Sequence, residues 1–102
     1  MKKASSLIAI LVLILLGACS KISDTSNLYT PTNVDTTATA SLEELQQGRV
    51  LYINNCDACH HLYSPDDFSP GQWRNIMANM APLTSLNTEE VSKVTKYLCR
   101  GN

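Results

Sequence analysis

The chain has 102 residues, a formal charge of −1 and 44% hydrophobic residues. That leaves room for one small domain and no basic excess of the kind nucleic-acid binding uses. Part of the hydrophobic content sits in an N-terminal run and overstates any core, and the four cysteines are not spaced as a disulfide framework.

Lys2 and Lys3 precede an apolar run over residues 7–18, twelve residues long. A helix needs ~20 residues to cross a bilayer. A basic start, a short apolar stretch and small residues after it form the pattern of a secretory signal peptide, which assigns residues 1–18 to a leader. Leu16-Gly17-Ala18-Cys19 resembles the bacterial lipobox. That resemblance implies cleavage before Cys19, with the thiol and the new amine acylated, and several acyl chains anchor stably where one binds marginally. The expectation is an exported protein held by lipid on the periplasmic side of a bacterial membrane. Ser20 follows the lipidated position, where an aspartate favours inner-membrane retention in some bacteria.

Residues 20–40 are rich in Ser, Thr, Asn and Asp, with Pro31 and few apolar positions. No helical or strand period is visible, so residues 19–40 read as a flexible tether. As a coil it holds the domain about 25 Å from the lipid.

Ser41-Leu42-Glu43-Glu44 is a capping box that opens a helix. Leu42, Leu45, Tyr52, Ile53 and Cys56 share one face of it, with Gly48 on or near that face. A glycine inside a helix costs about 1 kcal/mol against alanine, so Gly48 predicts a close crossing by another helix. The helix runs into Cys56-Asp57-Ala58-Cys59-His60. Two thiols three positions apart with an imidazole directly after them form the attachment signature of c-type haem. The thiols add across the two vinyl groups, and His60 becomes the proximal iron ligand. The same atoms also suit a dithiol redox centre, but no strand pattern precedes them. A zinc site would need His61 and the distant Cys99 to complete four ligands, at a spacing no common zinc module uses.

A turn-rich loop follows over residues 62–69, with Ser64-Pro65 and Asp66-Asp67. Ser69-Pro70-Gly71-Gln72 then caps a second helix carrying Trp73, Ile76, Met77 and Met80 at i, i+3, i+4 and i+7, and Pro82 ends it. The last helix starts near Asn87, with Glu89 and Glu90 in its first turn to complement the dipole. Val91, Val94, Thr95 and Leu98 form its apolar face beside Tyr97, and Gly101 is the expected C-cap. The fold class is all-α. A domain over residues 41–102 has 62 residues, and a core that small ordinarily needs a disulfide, metal or cofactor.

With these elements placed, Gly48-Arg49-x-x-Tyr52-x-x-x-Cys56-x-x-Cys59-His60 resembles the first helix and haem site of class I cytochromes c. Glu89-Glu90-Val91 to Tyr97-Leu98 resembles the last helix of that family, and the likeness covers residues 41–99. It departs at His61, where the family usually has glycine, and in the short stretch between motif and methionine. The resemblance implies three helices around one covalent haem c, with a methionine as the second axial ligand. Met80 is the choice: it lies at a helix end, a proline closely follows, and it stands seven residues after Trp73, with Met77 as the alternative. A methionine on such a stripe is otherwise core. The resemblance further implies Trp73 and either Arg49 or Arg74 at the propionates. It also implies Pro65 with its carbonyl on the histidine's Nδ1–H. His61 reads as a solvent-facing or propionate-side residue and Cys99 as a small buried one.

The implied function is non-enzymatic: electron transfer between donor and acceptor proteins at a membrane face. Glu43, Glu44, Asp57, Asp66, Asp67, Glu89 and Glu90 stand against Arg49, Arg74, Lys93, Lys96 and Arg100, a mild acidic balance that suits a basic partner. The alternative is a haem-based sensor or peroxidase-like protein with an open sixth position.

Overall fold

The computed structural model describes residues 24–102, so the leader and Cys19 lie outside the described residues. Three α-helices follow in chain order: α1 (Leu42–Asn55), α2 (Pro70–Met80) and α3 (Thr88–Leu98). Single 3-10 turns stand at Asn33–Asp35, Pro65–Asp67 and Ala81–Leu83. Among the described residues there is no β-strand, only an isolated bridge between Thr37 and Ala40. The fold is all-α.

Each helix begins where the sequence places a cap. Ser41 Oγ accepts from the Glu44 N–H at 3.2 Å while the Ser41 N–H donates to Glu44 Oε2 at 3.0 Å. Ser69 with Gln72 and Asn87 with Glu90 repeat that reciprocal pair on α2 and α3. Two of the four orphan N–H donors at each helix start are thereby satisfied locally. Helix α2 ends at Met80, and Pro82 falls in the 3-10 turn that follows.

Helices α1 and α3 make the main contact of the fold, and α2 packs on α3. The crossing sits at Gly48. A Cβ built there would lie 2.7 Å from the Lys93 carbonyl carbon and 3.0 Å from Tyr97 Cβ, inside the limits of real contacts. Only glycine lets the two backbones approach this closely, as the sequence predicts. Leu45, Val94, Tyr97 and Leu98 are fully buried around the crossing, each aliphatic side chain worth roughly 1.5–3 kcal/mol when removed from water.

The six aromatic residues, four tyrosines with Phe68 and Trp73, form one ring-to-ring series. It runs Tyr29–Tyr97 (4.7 Å), Tyr97–Tyr52 (6.1 Å), Tyr52–Trp73 (6.5 Å), Trp73–Phe68 (5.0 Å) and Phe68–Tyr63 (5.6 Å). His60 continues it, 5.2 Å from Tyr63.

The expected flexible coil differs from the structure in its second half. Leu28, Pro31 and Ala40 are buried, and residues 28–40 lie as a strap along the helices. Tyr29 is the anchor. Its ring stacks on Tyr97 at an interplanar angle of 12°. Its hydroxyl donates to the Tyr97 carbonyl at 2.8 Å, and the Tyr97 hydroxyl donates back to the Tyr29 carbonyl at 2.9 Å. Arg49 Nε donates to the same Tyr29 carbonyl at 3.1 Å. Burial pushes both phenols up, Tyr97 to about 12, so the pair stays neutral at physiological pH. A strap that satisfies its polar groups this fully needs only a few apolar side chains to dock.

The end of α3 also departs from expectation. The Arg100 N–H bonds to the Tyr97 carbonyl at 3.0 Å and the Gly101 N–H to the Lys96 carbonyl at 2.8 Å, a Schellman closure. The left-handed position belongs to Arg100, φ 52°, one residue before the expected glycine. A non-glycine residue there costs on the order of 1–2 kcal/mol. Gly101 is needed for a different reason: with φ 78°, its absent Cβ would fall 2.7 Å from the Asp35 carbonyl oxygen of the strap.

Candidate functional site

The motif emerges where α1 runs out. Cys56 is the C-cap, its N–H still bonded to the Tyr52 carbonyl at 3.0 Å. The chain then turns through residues 57–59 and presents Cys59 and His60 at the surface. Cys56 is half-buried against the core, and both sulfurs are free thiols. Burial, and then the Asp57 charge, push the Cys56 thiol up. This is opposite to the depressed value of a reactive dithiol centre.

His60 Nδ1 lies 2.6 Å from the His61 carbonyl. A carbonyl only accepts, so this contact places a proton on Nδ1, which in the neutral ring leaves the lone pair on Nε2. The histidine is thus fixed in the tautomer a metal ligand uses, by its neighbour's backbone rather than by the expected Pro65. The Pro65 carbonyl instead accepts from Trp73 Nε1 at 2.8 Å. That bond places the buried indole against the loop after the motif, where the sequence reading expects a propionate contact. Arg49 is likewise committed to the Tyr29 carbonyl and Arg74 to the Asn102 carbonyl.

The loop over residues 61–67 is held at three points. Tyr52 Oη donates to the Tyr63 carbonyl at 2.9 Å, Trp73 holds Pro65, and Arg100 pairs with Asp66. The two methionines separate by burial: Met77 is 6% exposed within the core, Met80 42% exposed at the end of α2. Around Met80, Leu83 is exposed while Ile76, Ala81 and Leu86 are half-buried against the core. Cys99 is buried, its Sγ 3.5 Å from the Pro70 carbonyl. No three His, Cys, Asp or Glu side chains converge as metal ligands among the described residues. An open groove of about 420 Å³ is lined by Gln46, Gln47, Val50, Leu51, Glu90 and Lys93 and includes none of the motif's donors.

The motif's donors suit a c-type haem, with two free thiols at a helix end and an imidazole engaged through Nδ1, and Met80 and Leu83 leave apolar surface exposed at the α2–α3 connection. The residue that sequence reasoning missed is Tyr29. Its one signal is the Leu28-Tyr29 pair, apolar in an otherwise polar stretch.

Comparison with known proteins agrees on the class. Over 63 residues, 61% of the chain, it is 33% identical to the cytochrome c-type protein TorY of Haemophilus influenzae. The chain is similar to a c-type cytochrome. The aligned part is 17% of that protein, so the match spans about a sixth of the relative's length. No family model and no solved structure matches. With three helices and no strand among the described residues, the fold is all-α, consistent with that similarity.

Proposed function

We propose that this chain is a monohaem c-type cytochrome that carries electrons between redox proteins, tethered by lipid at Cys19 to the periplasmic side of a bacterial membrane. The observation that carries the reading is the state of Cys56, Cys59 and His60: two free thiols and an imidazole whose Nδ1 is already bonded, all at the end of a capped helix. The similarity to a c-type cytochrome supports it. Bound haem supplies an iron that cycles between ferric and ferrous states. Cys56 and Cys59 hold it covalently, and His60 offers Nε2 from a ring whose tautomer the His61 carbonyl sets. Met80 is the second ligand in this reading, because its exposed side chain is free to turn where the buried Met77 is not. A methionine–histidine pair favours the ferrous state relative to two histidines and gives a positive potential.

The partners are a donor and an acceptor that dock on the face carrying the motif. No enzymatic step is assigned to the chain. Production with haem-attachment machinery tests the reading directly. The denatured protein is expected to gain the mass of one haem. A Cys56→Ala, Cys59→Ala double variant is expected to lose all of it. A denatured wild type without haem overturns the proposal.

A further inference from the structure

We infer that Tyr29, in the N-terminal strap, is a positioning residue for His60, acting through Arg100 and the loop after the motif. The inference rests on the haem reading above. The Arg100 guanidinium lies 4.1 Å over the Tyr29 ring centroid, at the distance of a cation–π contact. From there it forks onto Asp66, with Nε to Oδ1 at 2.8 Å and Nη2 to Oδ2 at 2.7 Å. This bidentate geometry fixes orientation as well as distance.

Arg100 is also the non-glycine residue with positive φ among the described residues. A side chain persists in that conformation only where its surroundings over-determine it. Here the overdetermination comes from the strap on one side and the loop on the other.

Asp66 belongs to the Pro65–Asp67 turn and lies six residues past His60, the motif's last residue. The chain between them carries the His61 carbonyl that sets the His60 tautomer. The same loop is held from inside the core by Tyr52 and Trp73. The Arg100 contact is its tie to the strap. A loosened loop weakens the Nδ1–H···O bond, lowers the basicity of the ligating imidazole and disfavours ferric iron. The strap therefore tunes the site as well as linking the domain to the N-terminus.

The test compares Tyr29→Leu, Asp66→Asn and the double variant in the haem-loaded chain, with Tyr29→Phe as the conservative control. The readouts are the midpoint potential and the denaturant midpoint. Both single variants are expected to raise the potential. The double variant is expected to raise it no further than the larger single, because the residues act in series. Tyr29→Phe keeps the ring under Arg100 and is expected to leave the potential at the wild-type value. An unchanged potential with a lowered denaturant midpoint overturns the inference and leaves the strap as packing alone. Additive shifts also overturn it. Asp66 is exposed, so Asp66→Asn keeps the test open if Tyr29→Leu does not fold. If the wild type carries no haem, the haem reading fails first. Amide exchange at residues 63–67 in the unloaded chain then decides: faster exchange in both variants sustains the Tyr29–loop coupling, and no change overturns it.

Discussion

Substituting Gly48 by alanine sets two opposing effects against each other. Helix propensity alone favours alanine by about 1 kcal/mol, so an isolated α1 would gain. The crossing opposes it, because the added methyl would overlap the Lys93 carbonyl and press on Tyr97 Cβ at 3.0 Å. The nearest obstacle is backbone and cannot rotate away. Overpacking a close contact costs typically about 1–3 kcal/mol, and more where main chain must move. A packing cost near the top of that range leaves a net loss of about 2 kcal/mol. In a domain this small each kcal/mol moves the Tm by roughly 4–8 °C, so the Tm is expected to fall by about 8–16 °C. Thermal unfolding followed by far-ultraviolet circular dichroism measures it. Gly71→Ala is the control: nothing lies within 4 Å of its Cβ position, so it is expected to hold or raise the Tm. A Gly48→Ala protein as stable as wild type would refute the crossing geometry.

Substitutions at Met77 and Met80 are expected to separate stability from the proposed ligation. Met77→Ala empties a buried site and is expected to cost about 2–5 kcal/mol, whereas Met80→Ala is expected to keep the unfolding midpoint near wild type and change the iron spectrum. Denaturant titration beside an absorption spectrum distinguishes them. Trp73→Phe removes the donor to the Pro65 carbonyl and is expected to destabilise by about 1–3 kcal/mol, with the aromatic series retained. The Lys96 hydrogen bond, with the Ser41 N–H, lowers the Glu44 carboxyl to about 2 from an ordinary value near 4.5. A depressed carboxylate stabilises the fold above its unfolded value and loses that contribution as the pH falls. Stability is therefore expected to decline from about pH 4.5 towards 2, and Glu44→Gln to flatten that limb of the pH profile.

The helices were legible because their signals are local. Capping pairs at Ser41 and Ser69 and the acidic first turn after Asn87 mark the starts, the apolar faces recur at helical spacing, and Gly48 announces its own crossing. The motif was equally legible, since Cys56, Cys59 and His60 lie within five positions. What was not legible depends on contacts distant in sequence. Tyr29 docks on Tyr97 and Arg49, and nothing in a stretch of Ser, Thr and Asp reports those partners. A few buried groups suffice when the backbone polar atoms find hydrogen bonds across the fold. The Pro65 carbonyl shows the same limit from the other side. The resemblance assigns it to His60, but which donor reaches a carbonyl is settled by packing, and here the indole of Trp73 arrives. Arg100 takes the left-handed position of the helix-end closure, and its side chain reaches Asp66 and Tyr29, partners no local pattern reports.

The absorption spectrum of the matured protein tests the central claim most directly, recorded oxidised and reduced, with the near-infrared region of the oxidised form. The account predicts a low-spin covalent haem with a weak methionine-to-iron band that Met80→Ala abolishes and Met77→Ala retains. A high-spin spectrum, or a two-histidine spectrum that survives both substitutions, would contradict it.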